Sequence, residues 1–242
     1  MPFRNGRVAV VIGATGAIGK AIAGRLVADG FTVCATGSTQ ERVDDLVRAT
    51  GWPRDQIEGY PIDLRREADV RHFCDTRLER HARIDVLVHC AGVIHLGDLE
   101  HARIEDLDDQ YLVNVRAPVQ ITQLLLPRLK MCQGQVAFIN STAGVRASSG
   151  AGQYGSTKHA LRAVADSLRE EVNPMGVRVL SVFLGRTASR MQAEVHQREG
   201  RPYDESKLLQ PDDVASVVIH ALGMPRTAEV TDVWIRPLLK SY

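Results

Sequence analysis

A doubly wound α/β fold, with seven parallel strands and helices on both faces, is what this sequence predicts, on three observations. Short β-rich runs alternate with helical patterns from end to end. Several strands, VAVVI and IDVLVH among them, are near-continuous apolar runs, as strands covered on both faces must be. A glycine-rich turn joins the first strand to the first helix.

The first strand is read at Arg7–Ile12. It runs through Gly13-Ala-Thr-Gly16-Ala-Ile-Gly19 into a helix over Ile18–Ala28, which Asp29-Gly30 closes because glycine tolerates left-handed geometry. Strand Thr32–Thr36 precedes helix Glu41–Ala49, and strand Ile57–Ile62 precedes helix Glu67–His81. Strand Val86–His89 is followed by two helices, Asp106–Val115 and Ala117–Met131. Strand Gln135–Asn140 leads to helix Gly155–Val172, and strand Val177–Phe183 to the polar, least regular stretch, Gly185 to Gln210. That stretch follows a strand end, so it is placed to cover a ligand at the carboxyl edge of the sheet; a surface excursion is the alternative. Pro211-Asp212-Asp213 opens helix Asp212–Leu222 with proline and acids at its amino end, and Val230–Ile235 is the last strand. No Pro/Ser-rich linker or charge block interrupts residues 1–242, which are read as one domain.

Apolar residues make up 44% of the chain and charged residues 24%, and the formal net charge is +1. This balance gives no electrostatic reason to expect nucleic acid or a membrane as partner. The four cysteines, Cys34, Cys74, Cys90 and Cys132, have no CxxC spacing and no nearby paired histidines, so they are expected as reduced thiols with neither a disulfide framework nor a metal site. MPFRNGRVAVVIG runs straight into a strand without a removable leader, and no apolar run approaches a membrane span; a cytoplasmic location is the default expectation.

The glycine loop has the strand–loop–helix context of a dinucleotide site. Glycines allow a tight turn and close backbone approach, and amides at the helix start favour a pyrophosphate. Gly13, Thr15, Gly16, Ile18 and Gly19 are the candidate contacts. The second strand ends Ala35-Thr36-Gly37-Ser38-Thr39 without the acid that an NAD site uses to hold the ribose hydroxyls. Thr36, Ser38, Thr39 and Arg42 would tolerate a 2′-phosphate, which favours NADP(H) over NAD(H); Ser38 and Thr39 serve equally well as caps of the next helix.

Ser141, Tyr154 and Lys158 supply a hydroxyl, a phenol and an amine. Tyr154 and Lys158 stand four apart on a predicted helix, so they share a face. Free tyrosine titrates near pH ~10, and an ammonium beside it is expected to pull that value down toward working pH, as a general acid or base requires.

With glycine loop, serine and YxxxK in this order, the chain resembles the short-chain dehydrogenase/reductase family along nearly its whole length. The loop GATGAIG is similar to the family's TGxxxGxG, with Ile12 for the usual threonine and Ala17 for the middle glycine, and Gly16 shifts it toward GxxGxxG. Asp63, with Leu64 beside it, resembles the residue that meets the adenine. Ala91-Gly92, Asn114 in YLVNVRAP and Ser141 in INSTAG match further landmarks of the shorter branch. Two motifs depart: Asn-Asn-Ala-Gly appears as His89-Cys90-Ala91-Gly92, and Pro-Gly as Leu184-Gly185. His89 and Cys90 read as residues buried at a strand end, on opposite faces and therefore no nucleophilic pair.

The resemblance implies a Rossmann fold and hydride transfer between a nicotinamide and a small-molecule carbonyl or alcohol. It implies Tyr154 as general acid/base, Lys158 on the nicotinamide ribose, Ser141 on the substrate oxygen and Asn114 holding a relay water. Gly185 and Thr187 would meet the carboxamide. It also implies a homodimer or homotetramer pairing the helices Ala117–Met131 and Gly155–Val172. A catalytically silent nucleotide sensor or scaffold is the alternative, and the GxxGxxG spacing brings in an epimerase or dehydratase of the longer branch.

Overall fold

The computed structural model describes residues 6–239. Residues 1–5, where the leaderless start was read, and 240–242 lie outside the described residues. Seven strands form one parallel sheet: β1 (Val8–Ile12), β2 (Thr32–Gly37), β3 (Ile57–Pro61), β4 (Val86–His89), β5 (Gln135–Ser141), β6 (Arg178–Leu184) and β7 (Asp232–Ile235). Their order is β3-β2-β1-β4-β5-β6-β7. The chain therefore reverses its direction of winding at β1, which pairs with both β2 and β4. This is the position where open α/β sheets leave a crevice at their carboxyl ends.

Residues alternate between two cores, as the pleat of a strand requires. Ala9, Val11, Val33 and Val88 face helices α1 (Ala17–Ala28) and α8 (Pro211–Leu222) through Ile22, Leu26, Val214 and Val218. Val10, Ile12, Leu87 and Phe138 face α5 (Ala117–Met131) and α6 (Gly152–Val172) through Ile121, Leu125, Leu161 and Ala165. The remaining helices are α2 (Gln40–Thr50), α3 (Glu67–His72), α4 (Ile104–Tyr111) and α7 (Arg190–Arg198).

All seven strands lie where the sequence pattern placed them, with ends shifted by one or two residues. The helices differ more. The run read as one helix over Glu67–His81 is α3 followed by a π-helical turn at Phe73–Arg77, and a second π-helical turn, Leu112–Arg116, carries α4 into α5. The stretch from Gly185 to Gln210 is not irregular throughout. Ser189 caps α7 by accepting a hydrogen bond from the Gln192 amide, and a 3₁₀ turn follows at Glu205–Lys207. Its two ends are paired, with the Ala188 amide donating to the Leu209 carbonyl and the Leu209 amide to that of Arg186.

The edge strand β3 is fastened through Glu58. Its carboxylate accepts from Tyr60 (2.6 Å) and contacts His81 (2.9 Å), the Cys34 thiol (3.7 Å) and Arg80. Burial opposes ionisation there, but the hydrogen bonds from His81, Arg80 and Tyr60 hold the Glu58 pKa down to about 2. The sequence spacing gave no sign that Cys34, Glu58 and His81 would meet. All four cysteines are free thiols.

Candidate active site

Ser141 is the last residue of β5, so the strand itself delivers its side chain to the carboxyl edge of the sheet. Its Oγ accepts a hydrogen bond from the Ala143 amide (3.1 Å) and caps the 3₁₀ turn Thr142–Gly144. With one lone pair so used, the hydroxyl proton remains to be donated outward. Helix α6 begins at Gly152, three residues earlier than the sequence pattern predicts, which puts Tyr154 in its first turn and Lys158 one turn on. The Lys158 Nζ lies 5.7 Å from the Tyr154 ring centroid.

The electrostatics correct the expectation for the phenol. Burial pushes Tyr154 up to about 12, with the Ser141 side chain pulling it part-way back, and burial brings Lys158 down to about 8. An ammonium over the ring face does not contact the phenolic oxygen, so desolvation outweighs the charge.

Asn114 sits in the π-helical turn before α5 and is fully buried. Its Oδ1 accepts from the Val93 amide, and its Nδ2 donates to the Val93 carbonyl (both 2.9 Å) and to Thr157 Oγ1 (3.1 Å). Thr157 in turn donates to the Tyr154 carbonyl (2.8 Å). Asn114 thus ties the loop after β4 to the turn of α6 that carries Tyr154. Gly92 lies between the two, since an added Cβ would meet Asn114 Oδ1 at 3.2 Å and Lys158 Nζ at 3.6 Å.

The glycine loop is built around close approach. Gly13 has φ +86° and its amide donates to Thr36 Oγ1 (3.0 Å). A Cβ there would sit 2.7 Å from the Ala91 amide nitrogen, and one at Gly19 would sit 2.3 Å from the Gly13 carbonyl oxygen. Thr15 lies over Gly37 and Ile18 packs against the core, while Gly16 is exposed at the start of α1 with no side chain to cap the helix amides. Thr36 is buried and spent on Gly13, so it leaves the set of 2′-phosphate contacts. Thr39 is the N-cap of α2, accepting from the Arg42 amide (3.3 Å). The Arg42 guanidinium reaches Ser38 Oγ (3.4 Å), and these two remain together at the exposed end of β2. Asp63 accepts from the Arg65 amide (3.0 Å), with Leu64 packed against the core beside it.

Residues 7–200 match the sequence pattern of the short chain dehydrogenase family. The chain belongs to that family. An uncharacterized oxidoreductase of Staphylococcus epidermidis is 28% identical to this short-chain dehydrogenase over 96% of the chain and 97% of its own length. Serine dehydrogenase from Escherichia coli superposes with a TM-score of 0.83 at 26% identity, over 97% of this chain and 100% of that one. A metagenomic short-chain oxidoreductase solved in complex with NADP gives a TM-score of 0.80 at 28% identity, over 98% and 99% of the two chains. The protein is thus an oxidoreductase of the short-chain dehydrogenase family, with the sheet those structures share.

The motifs in which this short-chain dehydrogenase departs from its family have local explanations. His89 is buried, stacks on Phe138 with centroids 5.0 Å apart, and pairs through Nε2 with Thr122 Oγ1 (2.9 Å); burial takes its pKa down to about 3, so it is neutral. Cys90 packs into the core on the other face of the sheet, and burial pushes its thiol up to about 12. Leu184 completes β6 beside Ser141. Gly185 then turns against Arg236 and Pro237, where a Cβ would come within 2.9 Å of the proline ring. Thr187 donates to the Gly185 carbonyl (3.1 Å), which holds both at the end of β6. Two residues to which the sequence pattern assigns no role, Thr157 and Asn140, hydrogen-bond the backbone around the site. Asn140 left a signal: it is the polar residue that closes the apolar strand VAFI.

Proposed function

We propose that this short-chain dehydrogenase interconverts a small-molecule carbonyl and its alcohol using NADP(H) in preference to NAD(H), with Tyr154 as the general acid/base. The observation that carries this reading is the convergence of Ser141, Tyr154 and Lys158 at the end of β5, one glycine away from Asn114. A hydroxyl, a phenol and an amine able to donate or accept a proton meet there, with the Asn114 amide fixing the helical turn that carries two of them.

The residues present fit a dinucleotide. The exposed, uncapped start of α1 offers amides to a pyrophosphate, Asp63 stands at the end of β3, and Gly92 keeps the space that a side chain would take beside Lys158. Gly13, Thr15, Gly16, Ile18 and Gly19 would hold the phosphates, and Ala91, Gly92, Gly185 and Thr187 the nicotinamide half. Ser38 and Arg42 would meet a 2′-phosphate, and no acid stands at the β2 end to oppose one. When bound, the nicotinamide supplies or accepts hydride.

The chain's own part is proton handling. Ser141 donates to the substrate oxygen and stabilises charge that develops on it. The Tyr154 phenol gives its proton to that oxygen in reduction and takes it back in oxidation. Burial pushes the pKa of the phenol up to about 12, so it holds its proton at neutral pH. Lys158 sets its ammonium over the Tyr154 ring and would hydrogen-bond the nicotinamide ribose.

A titration of the protein with NADPH and NADH, followed by NADPH oxidation against a panel of ketones and aldehydes, tests this reading. Tyr154→Phe is expected to lower kcat by about 10²–10⁴-fold while NADPH binds as before. Unchanged turnover in that variant would remove Tyr154 from the chemistry. Tight NADPH binding with no turnover of any substrate would make the wild-type protein a nucleotide sensor instead.

A further inference from the structure

The geometry points to Asn140 as a positioning residue that brackets the catalytic pair, setting Ser141 and the Lys158 turn of α6 at a fixed separation. This inference rests on the proposed reductase chemistry and adds a residue to it. Asn140 is 3% exposed and sits at the next-to-last position of β5. Its Oδ1 accepts from the Ser141 amide (2.8 Å), and its Nδ2 donates to the Lys158 carbonyl oxygen (3.1 Å). One planar amide therefore spans from the backbone of the hydroxyl donor to the backbone of the lysine.

The neighbouring turn is shaped to allow this span. A Cβ on Gly144 would lie 2.7 Å from the Lys158 carbonyl oxygen and 2.8 Å from Asn140 Oδ1. The 3₁₀ turn that Ser141 caps thus passes directly beside the bracket. On the other side of the same helical turn, Asn114 and Thr157 hold the Tyr154 carbonyl. Two asparagines, one from the end of β5 and one from the π-helical turn before α5, grip α6 at the Lys158 carbonyl and at the Thr157 hydroxyl respectively. A displacement of Ser141 against Tyr154 by a fraction of an ångström is enough to cost rate without loss of fold.

The amide is the only side chain of this size that accepts at one end and donates at the other, and this makes the role testable. Asn140→Asp keeps the shape and the acceptor, but an ionised carboxylate cannot donate to the Lys158 carbonyl. Once protonated, it can. Burial raises the pKa of such an acid, so the donor returns as pH falls through the mildly acidic range.

The expected result is that Asn140→Asp has kcat lowered about 10–100-fold at pH ~8 and approaches wild type at pH ~5.5, whereas Asn140→Ala is low at both. KM for NADPH is expected to stay within about threefold in both variants, and thermal melts at both pH values check that they are folded. Where Asn140→Asp does not fold, Asn140→Ala carries the test: a fall in kcat at constant KM, with faster hydrogen exchange at the Ser141 amide, supports the bracket. A pH-independent ratio of Asn140→Asp to wild type, or a loss confined to KM, would overturn it. Tyr154-dependent turnover of the wild type is read in the same assay. Its absence overturns the oxidoreductase reading and the positioning role together, while normal turnover with an indifferent Asn140 overturns the bracket alone.

Discussion

Lys158 is only 5% exposed, and burial takes its pKa from the ordinary 10.5 to about 8. In the unfolded chain the amine keeps its ordinary value. Between these two values the unfolded chain holds the extra proton, so this residue's contribution to stability rises with pH there. Below about pH 8 the ammonium is charged in both states and its full burial cost remains. That cost is about 3 kcal/mol at ~1.4 kcal/mol per pKa unit, and the contact with the Tyr154 ring offsets ~1 kcal/mol of it. Lys158→Met is therefore expected to raise stability at pH 7 by ~2 kcal/mol in urea unfolding while abolishing turnover. A variant less stable than wild type would show that the lysine is held for packing rather than for chemistry. That Tyr154 and Lys158 lie one turn apart on a helix was legible from the sequence, because spacing fixes which residues share a helical face; Ser141, at the end of β5, has no such spacing to announce it. The direction of the Tyr154 shift was not legible, since it depends on how much water reaches the phenol and on where the ammonium points.

The β1–α1 unit separates a glycine the packing requires, Gly19, from one that packing leaves free, Gly16, which we assign to the cofactor. A Cβ at Gly19 would overlap the Gly13 carbonyl oxygen at 2.3 Å, with backbone on both sides and nothing flexible to give way. At Gly16 the nearest atom to such a Cβ is the same oxygen at 3.4 Å, an ordinary contact, and the residue is exposed. Gly19→Ala is expected to destabilise by about 2–3 kcal/mol or more. Gly16→Ala should leave urea stability within ~1 kcal/mol but weaken NADPH binding at least ~10-fold, by crowding the pyrophosphate. Equal loss of stability in both would mean that Gly16 too serves only packing. Elements with a clean period were readable in advance, as β1 and α5 show. Helix α7 was not, because RMQAEVHQR buries only Val195 and His196, leaving too few apolar positions to mark a face. The π-helical turns escaped for another reason: one inserted residue leaves a helical pattern nearly intact while moving Asn114 to where it can reach Val93 and Thr157.

Across the whole sheet, the proposed chemistry and a set of stabilising polar contacts occupy opposite edges. Ser141 ends β5, and Gly92, the glycine loop, Asp63 and Gly185 follow the carboxyl ends of their strands, as the strand order with its reversal at β1 leads one to expect. The amino-terminal edge is held by buried polar groups of a different kind. Asp85 accepts from the Val8 amide (2.9 Å) and pairs with Arg83, and Gln135 donates to the Leu222 carbonyl (3.0 Å). Arg178 opens β6 at 8% exposure and fans out to the carbonyls of Leu222 (3.1 Å), Met224 (3.0 Å), Pro225 (3.2 Å) and Ala228 (2.8 Å). It closes the end of α8 and fixes the link to β7. Burial lowers its pKa, yet four carbonyl dipoles receive the charge. Arg178→Ala would leave the buried Leu222 carbonyl without this donor and the part-buried carbonyls of Met224, Pro225 and Ala228 without theirs, and a buried orphaned acceptor costs ~1 kcal/mol or more. The expected loss is about 3 kcal/mol in urea unfolding. With the whole length of β6, Arg178–Leu184, between this residue and the carboxyl edge of the sheet, kcat and the NADPH dissociation constant of the folded fraction should stay within about twofold of wild type. A kinetic defect as large as that of Tyr154→Phe would show that the two edges are coupled through β6, whose last residue, Leu184, lies directly beside Ser141.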